Sequence, residues 1–552
     1  MTIDTISWDR RVGALIRGIA VLGFIGALVA GCTFDADGGV AVEGRAAIEP
    51  TTTDVSTPTT TRSPSTTTEA PTTTVARTTV PETIGAGVPV PESDLDFRPC
   101  GRVECATVEV PIDPDQPELG TLDIAINVVR SAEPDTRRGY LFVNPGGPGA
   151  SGKQFAEVIP FLFPGELLDA FDVVGFDPRG VAESEPDLGC GGRDALREQT
   201  DQVSGEPDTA EEIRAMETAV AQCVDATGPA APYLGTEFVA HDMDAIRRAL
   251  GAEQISYYGA SYGSEVGVWF ATLHPERVRA MVVDGADNPV DDLGTPQERI
   301  DARLEQVRAF EELLGLALDS CDSEACPIFD GGDPTGYYLE AMDKIDLVDA
   351  ARPNLDDAGF FGVISTLYDE ATWPTLHQGV YELLEFDDPA ILAQSSDLQS
   401  SPSDIREIEW ISCLDSWSLA PELDRETQLA EAVATNEVFD AEFPLLAAAS
   451  IEEDATSLCP FLDRTVPDPL DIPLDGGDVP ILVVGNPSDP ATPFTESVEL
   501  VEDTLTNGYL LEADNPEHVV YARGNECVDD IVNRVLIEID FPDDRRVVCA
   551  RR

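Results

Sequence analysis

The chain is 552 residues long and carries 34 basic against 104 acidic side chains, a formal net charge of -70. That length can bury a substantial core and hold more than one folded unit. The acidic excess excludes a nucleic-acid partner, whose backbone requires a positive field, and disfavours an anionic substrate.

The first residues read as processing sequence. Arg10, Arg11 and Arg17 form a positive region, Gly18 to Ala30 is apolar, and Leu28-Val29-Ala30-Gly31-Cys32 closes the run. Small residues directly before a cysteine resemble a bacterial lipobox, in which the cysteine is acylated and heads the mature protein. The apolar run is shorter than the ~20 residues of a spanning helix. Residues 1–32 are therefore expected to be a lipoprotein signal peptide with Cys32 as its lipidation site. This would leave the bulk of the chain outside the cytoplasm, anchored to the membrane by lipid. Residues 33–93 are polar and, from Thr51 to Thr79, dominated by Thr, Ser and Pro. They cannot bury enough apolar surface to fold and read as an extended, disordered stalk.

Eleven cysteines agree with export: once Cys32 is set aside, ten remain, an even number. Cys100/Cys105 and Cys321/Cys326 are plausible local bridges. Cys190/Cys223, Cys413/Cys459 and Cys527/Cys549 are sequential pairings that spacing alone does not fix. No Cys-x-x-Cys or suitably spaced histidine pair occurs, so neither a metal nor another cofactor is expected.

Folding is expected to begin at residue 94, with a first core segment over residues 94–287. Cys105–Ile112 and Leu122–Val129 alternate apolar and polar residues as an antiparallel pair does. Gly139–Val143 is a buried-strand pattern, followed by Asn144-Pro-Gly-Gly-Pro-Gly-Ala-Ser-Gly152. Such a run has few side chains for chemistry, but it lets main-chain N–H groups approach a ligand closely. A phosphate loop would need G-K-[ST], which is absent; an oxyanion loop carried by Gly146, Gly147 and Gly149 fits better. Phe171–Phe176 is the next strand, and Asp177-Pro-Arg-Gly180 after it reads as a tight turn with Asp177 and Arg179 pairing locally. Thr209–Ala226 and Phe238–Leu250 have helical periodicity.

Ile255–Tyr258 is a short strand running into Gly259-Ala260-Ser261-Tyr262-Gly263 and then a helix. In a G-x-S-x-G elbow the serine occupies a sharp strand-to-helix turn with its hydroxyl exposed, and small neighbours allow the two elements to approach. Met281–Val283 is another strand. Repetition of strand, helix and strand argues a mostly parallel sheet with helices on both faces.

Over residues 288–477 strand alternation gives way to helical stretches such as Gln297–Leu318 and Asp424–Val438, read as a large inserted helical cap. Trp373, Trp410 and Trp417 either line or pack it. The sheet pattern resumes over residues 478–552: strand Val479–Val484, loop Gly485-Asn-Pro-Ser-Asp489-Pro-Ala-Thr-Pro493, helix Phe494–Leu505, strand Tyr509–Glu512, and a loop carrying His518. A last helix places Val528, Ile531, Val532, Val535 and Leu536 on one face.

Only four histidines exist, and a histidine-dependent serine hydrolase needs one as base, held by a carboxylate. His241 and His274 flank helices near the elbow and His377 belongs to the cap, which leaves His518. Asp489 precedes it in a post-strand loop, with Asp514 the nearest substitute acid. The order Ser261, Asp489, His518 is that of an α/β-hydrolase. The oxyanion would be held by the Tyr262 N–H and one from the Gly146–Gly149 loop.

In combination these elements resemble the secreted actinobacterial tripeptidyl aminopeptidases, α/β-hydrolases related to prolyl aminopeptidases, over Cys100 to Cys549. Asn144-Pro-Gly-Gly-Pro-Gly149, Gly175-Phe-Asp-Pro-Arg-Gly180, the serine elbow, Ser488-Asp-Pro-x-Thr-Pro493 and the His518 segment with Tyr521, Gly524 and Cys527 carry the resemblance. Ile411-Ser-Cys-Leu-Asp415 is similar to a cap element of that family. One departure is local: relatives usually have Gly before the histidine, where this chain has Glu517. The resemblance implies an α/β-hydrolase fold with a helical cap and cleavage of peptides near a free N-terminus. Asp415 and Glu409 are then candidates to pair with the substrate ammonium. The same core also serves esterases and lipases, and a non-catalytic peptide-binding surface lipoprotein remains a further reading.

Overall fold

The computed structural model describes residues 95–188, 212–290, 296–352, 358–396, 410–415, 438–439, 441–450, 462, 473–514 and 517–550. The expected signal segment with Cys32, the stalk, Trp417 and nearly all of Asp424–Val438 lie outside them. Among the described residues no helix is long and apolar enough to cross a membrane.

Ten strands form one sheet: β1 (Arg98–Cys100), β2 (Val103–Pro111), β3 (Thr121–Val129), β4 (Gly139–Asn144), β5 (Phe171–Phe176), β6 (Ile255–Ala260), β7 (Val278–Asp284), β8 (Ile481–Gly485), β9 (Gly508–Ala513) and β10 (Arg546–Cys549). Their order is β1-β2-β3-β5-β4-β6-β7-β8-β9-β10. The β1–β2, β2–β3 and β3–β5 pairs are antiparallel; every pair from β5 to β10 is parallel. β5, β6 and β8 are buried along their whole length, because crossover helices cover both faces of a parallel sheet. Alternation still sorts their side chains. Phe142, Tyr257 and Val283 enter one core with helices Thr236–Ala249 and Gly263–Leu273. Leu141, Val143, Tyr258 and Val282 enter the other, against Ala156 and Ile159 of helix Gly152–Leu162 and Val528, Val532 and Leu536 near the C-terminus.

Between β7 and β8 the described residues are helical and build a core of their own. Leu314 and Leu318 of Pro296–Asp319 pack with Tyr338, Val363, Leu376, Val380, Leu392 and Leu446. Trp373 and Trp410 are buried, and Trp410 Nε1 donates to Ala231 O at 3.1 Å, so both are packing residues. The insertion meets the histidine loop where Asp369 and Glu517 form an antiparallel bridge.

Disulfides join Cys100–Cys105, Cys321–Cys326 and Cys527–Cys549. Cys223 and Cys413 are also disulfide-bonded; Cys190 and Cys459, the partners expected for them, lie outside the described residues. His377 lies next to the Cys321–Cys326 bridge and donates from Nε2 to Ala317 O at 2.7 Å. Both sulfurs of that cluster are already in a disulfide, so it is not a thiolate metal site.

The turn after β5 corrects one expectation. Asp177 and Arg179 do not pair locally. Asp177 accepts from the Ser151 hydroxyl and from the N–H groups of Lys153 and Glu183, fixing the start of helix Gly152–Leu162. Arg179 forks onto Asp242, with Nε and Nη2 at 2.8 and 2.6 Å, and donates to the carbonyls of Ile112 and Tyr233. Both members of the ion pair are almost fully buried. Arg179→Met strands a buried carboxylate and should lower stability by about 3–5 kcal/mol in urea unfolding, whereas Arg179→Met with Asp242→Leu should recover much of that loss. Equal losses in the single and double variants would contradict this account.

Candidate active site

Four adjacent parallel strands, β4, β6, β7 and β8, with β9 beside them, end on the same side of the sheet, and the loops leaving them converge. Loops at the carboxyl ends of parallel strands are where such sheets place ligands. Ser261 follows β6 directly and adopts φ 55°, the left-handed conformation that a sharp strand-to-helix turn imposes. Its N–H donates to Asp284 O at the end of β7 at 2.9 Å. Helix Gly263–Leu273 begins two residues later, so the Tyr262 amide lies at a helix N-terminus, where backbone N–H groups lack intrahelical partners.

The loop after β4 is pressed against this turn. Gly146 has φ 96°, and a Cβ placed on it would lie 2.5 Å from Ala260 O, 2.7 Å from Ser261 Cβ and 3.1 Å from Tyr262 N. Glycine is required there by space as well as by dihedral. The Gly146 N–H is engaged with Asn144 Oδ1 at 2.8 Å. This corrects its expected place among the oxyanion donors: Gly146 supplies room, and with Pro148 lacking an N–H, Gly147 and Gly149 are the loop glycines left for donation.

Asp489 and His518 are brought together from the loops after β8 and β9. His518 Nδ1 lies 2.9 and 3.0 Å from the two carboxylate oxygens of Asp489, and both residues are buried. A carboxylate can only accept, so Nδ1 carries the proton and, in the neutral ring, Nε2 keeps a lone pair. Nε2 is buried with no hydrogen-bond partner, and Ser261 is therefore not bonded to it in this state. Catalytic hydrogen bonds are commonly long before substrate binds. Burial acts to lower the His518 pKa, but Asp489, with Asp284 and Asp287 farther off, outweighs it, and the net shift is upward.

Several residues that hold this pair were not singled out from sequence. Asp489 also accepts from the N–H groups of Ala491 and Thr492 and from the Thr492 hydroxyl at 3.1 Å, so the Asp-Pro-x-Thr turn orients the carboxylate. Asn486 spans the two loops, accepting the Ser488 N–H and donating from Nδ2 to Glu517 O. Their signal was the Asn-x-Ser-Asp and Asp-x-x-Thr spacing of Asx-type turns. Tyr368, from the helical insertion, packs edge-on against the His518 ring with centroids 5.3 Å apart, and its carbonyl accepts the His518 N–H at 3.3 Å. Nothing in the local sequence announces that contact. Glu517, the local departure from the usual glycine, is accommodated by pairing with Asp369. Asp514, the substitute acid, is exposed.

The other histidines lie elsewhere. His241 and His274 face each other at 3.3 Å, and burial, together with His274 and Arg179, lowers the His241 pKa to about 4.

Asp415 does not stand open to a substrate. Its two oxygens accept the Thr236 N–H at 2.7 Å and the Thr236 hydroxyl at 2.6 Å, seating the first turn of helix Thr236–Ala249. Because the Thr236 hydroxyl donates to Asp415, it accepts from the Tyr262 phenol. Burial, with the Asp415 charge nearby, holds that phenol well above its usual pKa. The position read as an ammonium partner thus ties the helical insertion to the residue after Ser261. Glu409 lies outside the described residues.

The geometry agrees with comparisons to known proteins. A model of the alpha/beta hydrolase fold matches residues 140–312, which include the glycine loop and Ser261. A model described as TAP-like protein matches residues 445–549, which include Asp489 and His518. Serine protease Hip1 of Mycobacterium tuberculosis is 31% identical over 480 residues, covering 81% of this chain and 88% of that protein. Carboxylesterase B of the same organism is 31% identical over 490 residues, 84% of this chain and 91% of that protein. The tripeptidyl aminopeptidase of Streptomyces coelicolor is 27% identical over 492 residues, 84% of this chain and 86% of that protein. The chain belongs to this family of α/β-hydrolases with a TAP-like C-terminal part, and it is a serine hydrolase.

Proposed function

We propose that the chain is an exported aminopeptidase, held to the membrane through lipid on Cys32, that releases short peptides from free N-termini. The observation that carries the chemistry is the buried Asp489–His518 pair, with Nδ1 held at 2.9 Å and Nε2 left unpartnered. In the proposed cycle His518 Nε2 takes the Ser261 proton as Oγ attacks the scissile carbonyl, and Asp489 stabilises the imidazolium that forms. The Tyr262 N–H and one from Gly147 or Gly149 hold the oxyanion; one such donor is worth about 3 kcal/mol in other enzymes. The leaving amine receives the proton from His518, and water, deprotonated by the same nitrogen, then releases the acyl product. Support for a peptide substrate comes from the names of the Hip1 and Streptomyces relatives. The carboxylesterase relative, equally similar, supports an esterase as the second reading.

Two measurements divide these readings. A fluorophosphonate probe should label Ser261, and absence of labelling in folded protein favours a non-catalytic peptide binder. Free-amino tripeptide amides, N-blocked peptides and short acyl esters should then be compared by kcat/KM. Preference for the first supports the aminopeptidase; turnover confined to the esters replaces it with an esterase.

A further inference from the structure

The end of β7 meets the site from beneath, and its buried carboxylate has no part in the cycle described above. Asp284 is fully buried, and its carbonyl is the acceptor for the Ser261 N–H at 2.9 Å. Its carboxylate accepts the Val520 N–H at 3.1 and 3.2 Å, the Tyr521 N–H at 2.8 Å and the Tyr258 hydroxyl at 2.9 Å. The next residue, Gly285, lies against the histidine itself: a Cβ there would stand 2.6 Å from His518 O and 3.1 Å from its Cε1. Gly285 has φ 62° and donates its N–H to Val484 O at 3.0 Å.

A buried carboxylate is costly unless donors converge on it. Here two of the three donors are backbone groups of the segment that follows His518, and the third comes from the strand that leads into Ser261. We propose that Asp284 is a positioning residue for the reaction, its main chain fixing the Ser261 turn and its carboxylate fixing the His518 loop. One strand end then sets the separation of nucleophile and base. This rests on Ser261 and His518 acting in those roles.

The charge of Asp284 acts on the base as well. Burial, opposed by its donors Tyr521, Val520 and Tyr258 and by His518, raises its pKa to about 6. The titratable groups facing it are Tyr258 on β6 and His518 and Tyr521 on the loop after β9, with Arg523 beyond; Asp489 and Asp287 face His518 from other loops. Ionised Asp284 stabilises the His518 imidazolium. A neutral replacement therefore lowers the His518 pKa, and the acid limb of kcat/KM, which follows loss of the His518 proton, moves to lower pH.

Asp284→Asn in the full chain tests this, because asparagine keeps the shape but turns an N–H₂ toward backbone N–H donors. With the best substrate of the panel above, kcat should fall roughly 10- to 100-fold with KM changed little, the cost expected of a misplaced reacting group. The acid limb should also move downward, which a purely structural role would not produce. Unchanged kcat and an unchanged pH profile in folded Asp284→Asn overturn the proposal. If that variant does not fold, Tyr258→Phe, which removes one donor and keeps the carboxylate, should lower kcat roughly 3- to 10-fold at constant KM; an unchanged kcat there overturns it. Ser261→Ala and His518→Ala run beside these separate the two layers. Activity in either would remove the nucleophile–base reading, whereas inactivity in both with an unaffected Asp284→Asn removes only the role of Asp284.

Discussion

Ser261→Ala is expected to lower kcat by about 10⁴- to 10⁶-fold, the range seen when single members of a Ser-His-Asp unit are removed, while leaving the fold and its stability intact. Stability is spared because the alanine side chain keeps a Cβ in the same left-handed conformation, φ 55°, that the serine already occupies. That conformation costs an L residue roughly 1–2 kcal/mol, and glycine escapes it, though glycine loses about 0.5–1 kcal/mol more backbone entropy on folding. Ser261→Gly should therefore be equally inactive and as stable as the parent, or more stable by up to about 1.5 kcal/mol. Thermal unfolding and single-turnover kinetics of the three proteins check both halves. An alanine variant with more than a trace of turnover removes Ser261 from its role. A glycine variant that is markedly destabilised shows that the turn stores no strain.

The second large effect is expected at Gly146, a residue with no chemistry of its own. Alanine there places a methyl 2.5 Å from Ala260 O and 2.7 Å from Ser261 Cβ, at a φ of 96° that L residues avoid. The contacts are backbone and the nucleophile itself, so no flexible side chain can yield. The loop must move away from the elbow, taking the remaining N–H donors with it. A loss of about 10²- to 10³-fold in kcat is expected, comparable to removing an oxyanion donor, with a smaller fractional change in KM. Stability should fall by about 1–3 kcal/mol from overpacking and strain. A fully active Gly146→Ala would mean that the loop is not seated on Ser261 when substrate is bound.

The interior of the sheet was legible because parallel strands covered on both faces must be apolar along their length. Phe171–Phe176 was read to the residue, and Ile255, Val278 and Ile481 begin strands close to where the apolar runs begin. The edges were not legible. Arg98–Cys100 and Arg546–Cys549 are short and largely exposed, so no burial pattern marks them. At the site, Ser261, Asp489 and His518 were singled out by motif, chain order and the scarcity of histidine, and the structure pairs the last two. Asp284 and Tyr368 were missed for a different reason: the parts of the histidine loop they hold, Val520 and Tyr521 for the one and His518 for the other, lie more than a hundred residues away, and their local sequence carries no trace of them. Asp415 shows the converse. A carboxylate in a cap element reads as a free charge until its partner, Thr236, is known.

The contact between the helical insertion and the histidine loop limits how members of this family can exchange parts. Asp369 pairs its backbone with Glu517 and its side chain with Arg523 at 3.5 Å, and Tyr368 holds His518 by ring and carbonyl. A chimera that imports another relative's insertion without its C-terminal stretch would set a foreign segment in place of Tyr368 and Asp369 on this chain's histidine. The TAP-like match runs from residue 445 to residue 549, so it includes the histidine loop but not Tyr368 or Asp369. The insertion and the histidine loop are thus coupled mechanically through Tyr368 and Asp369, and a change on one side of that contact has to be met on the other.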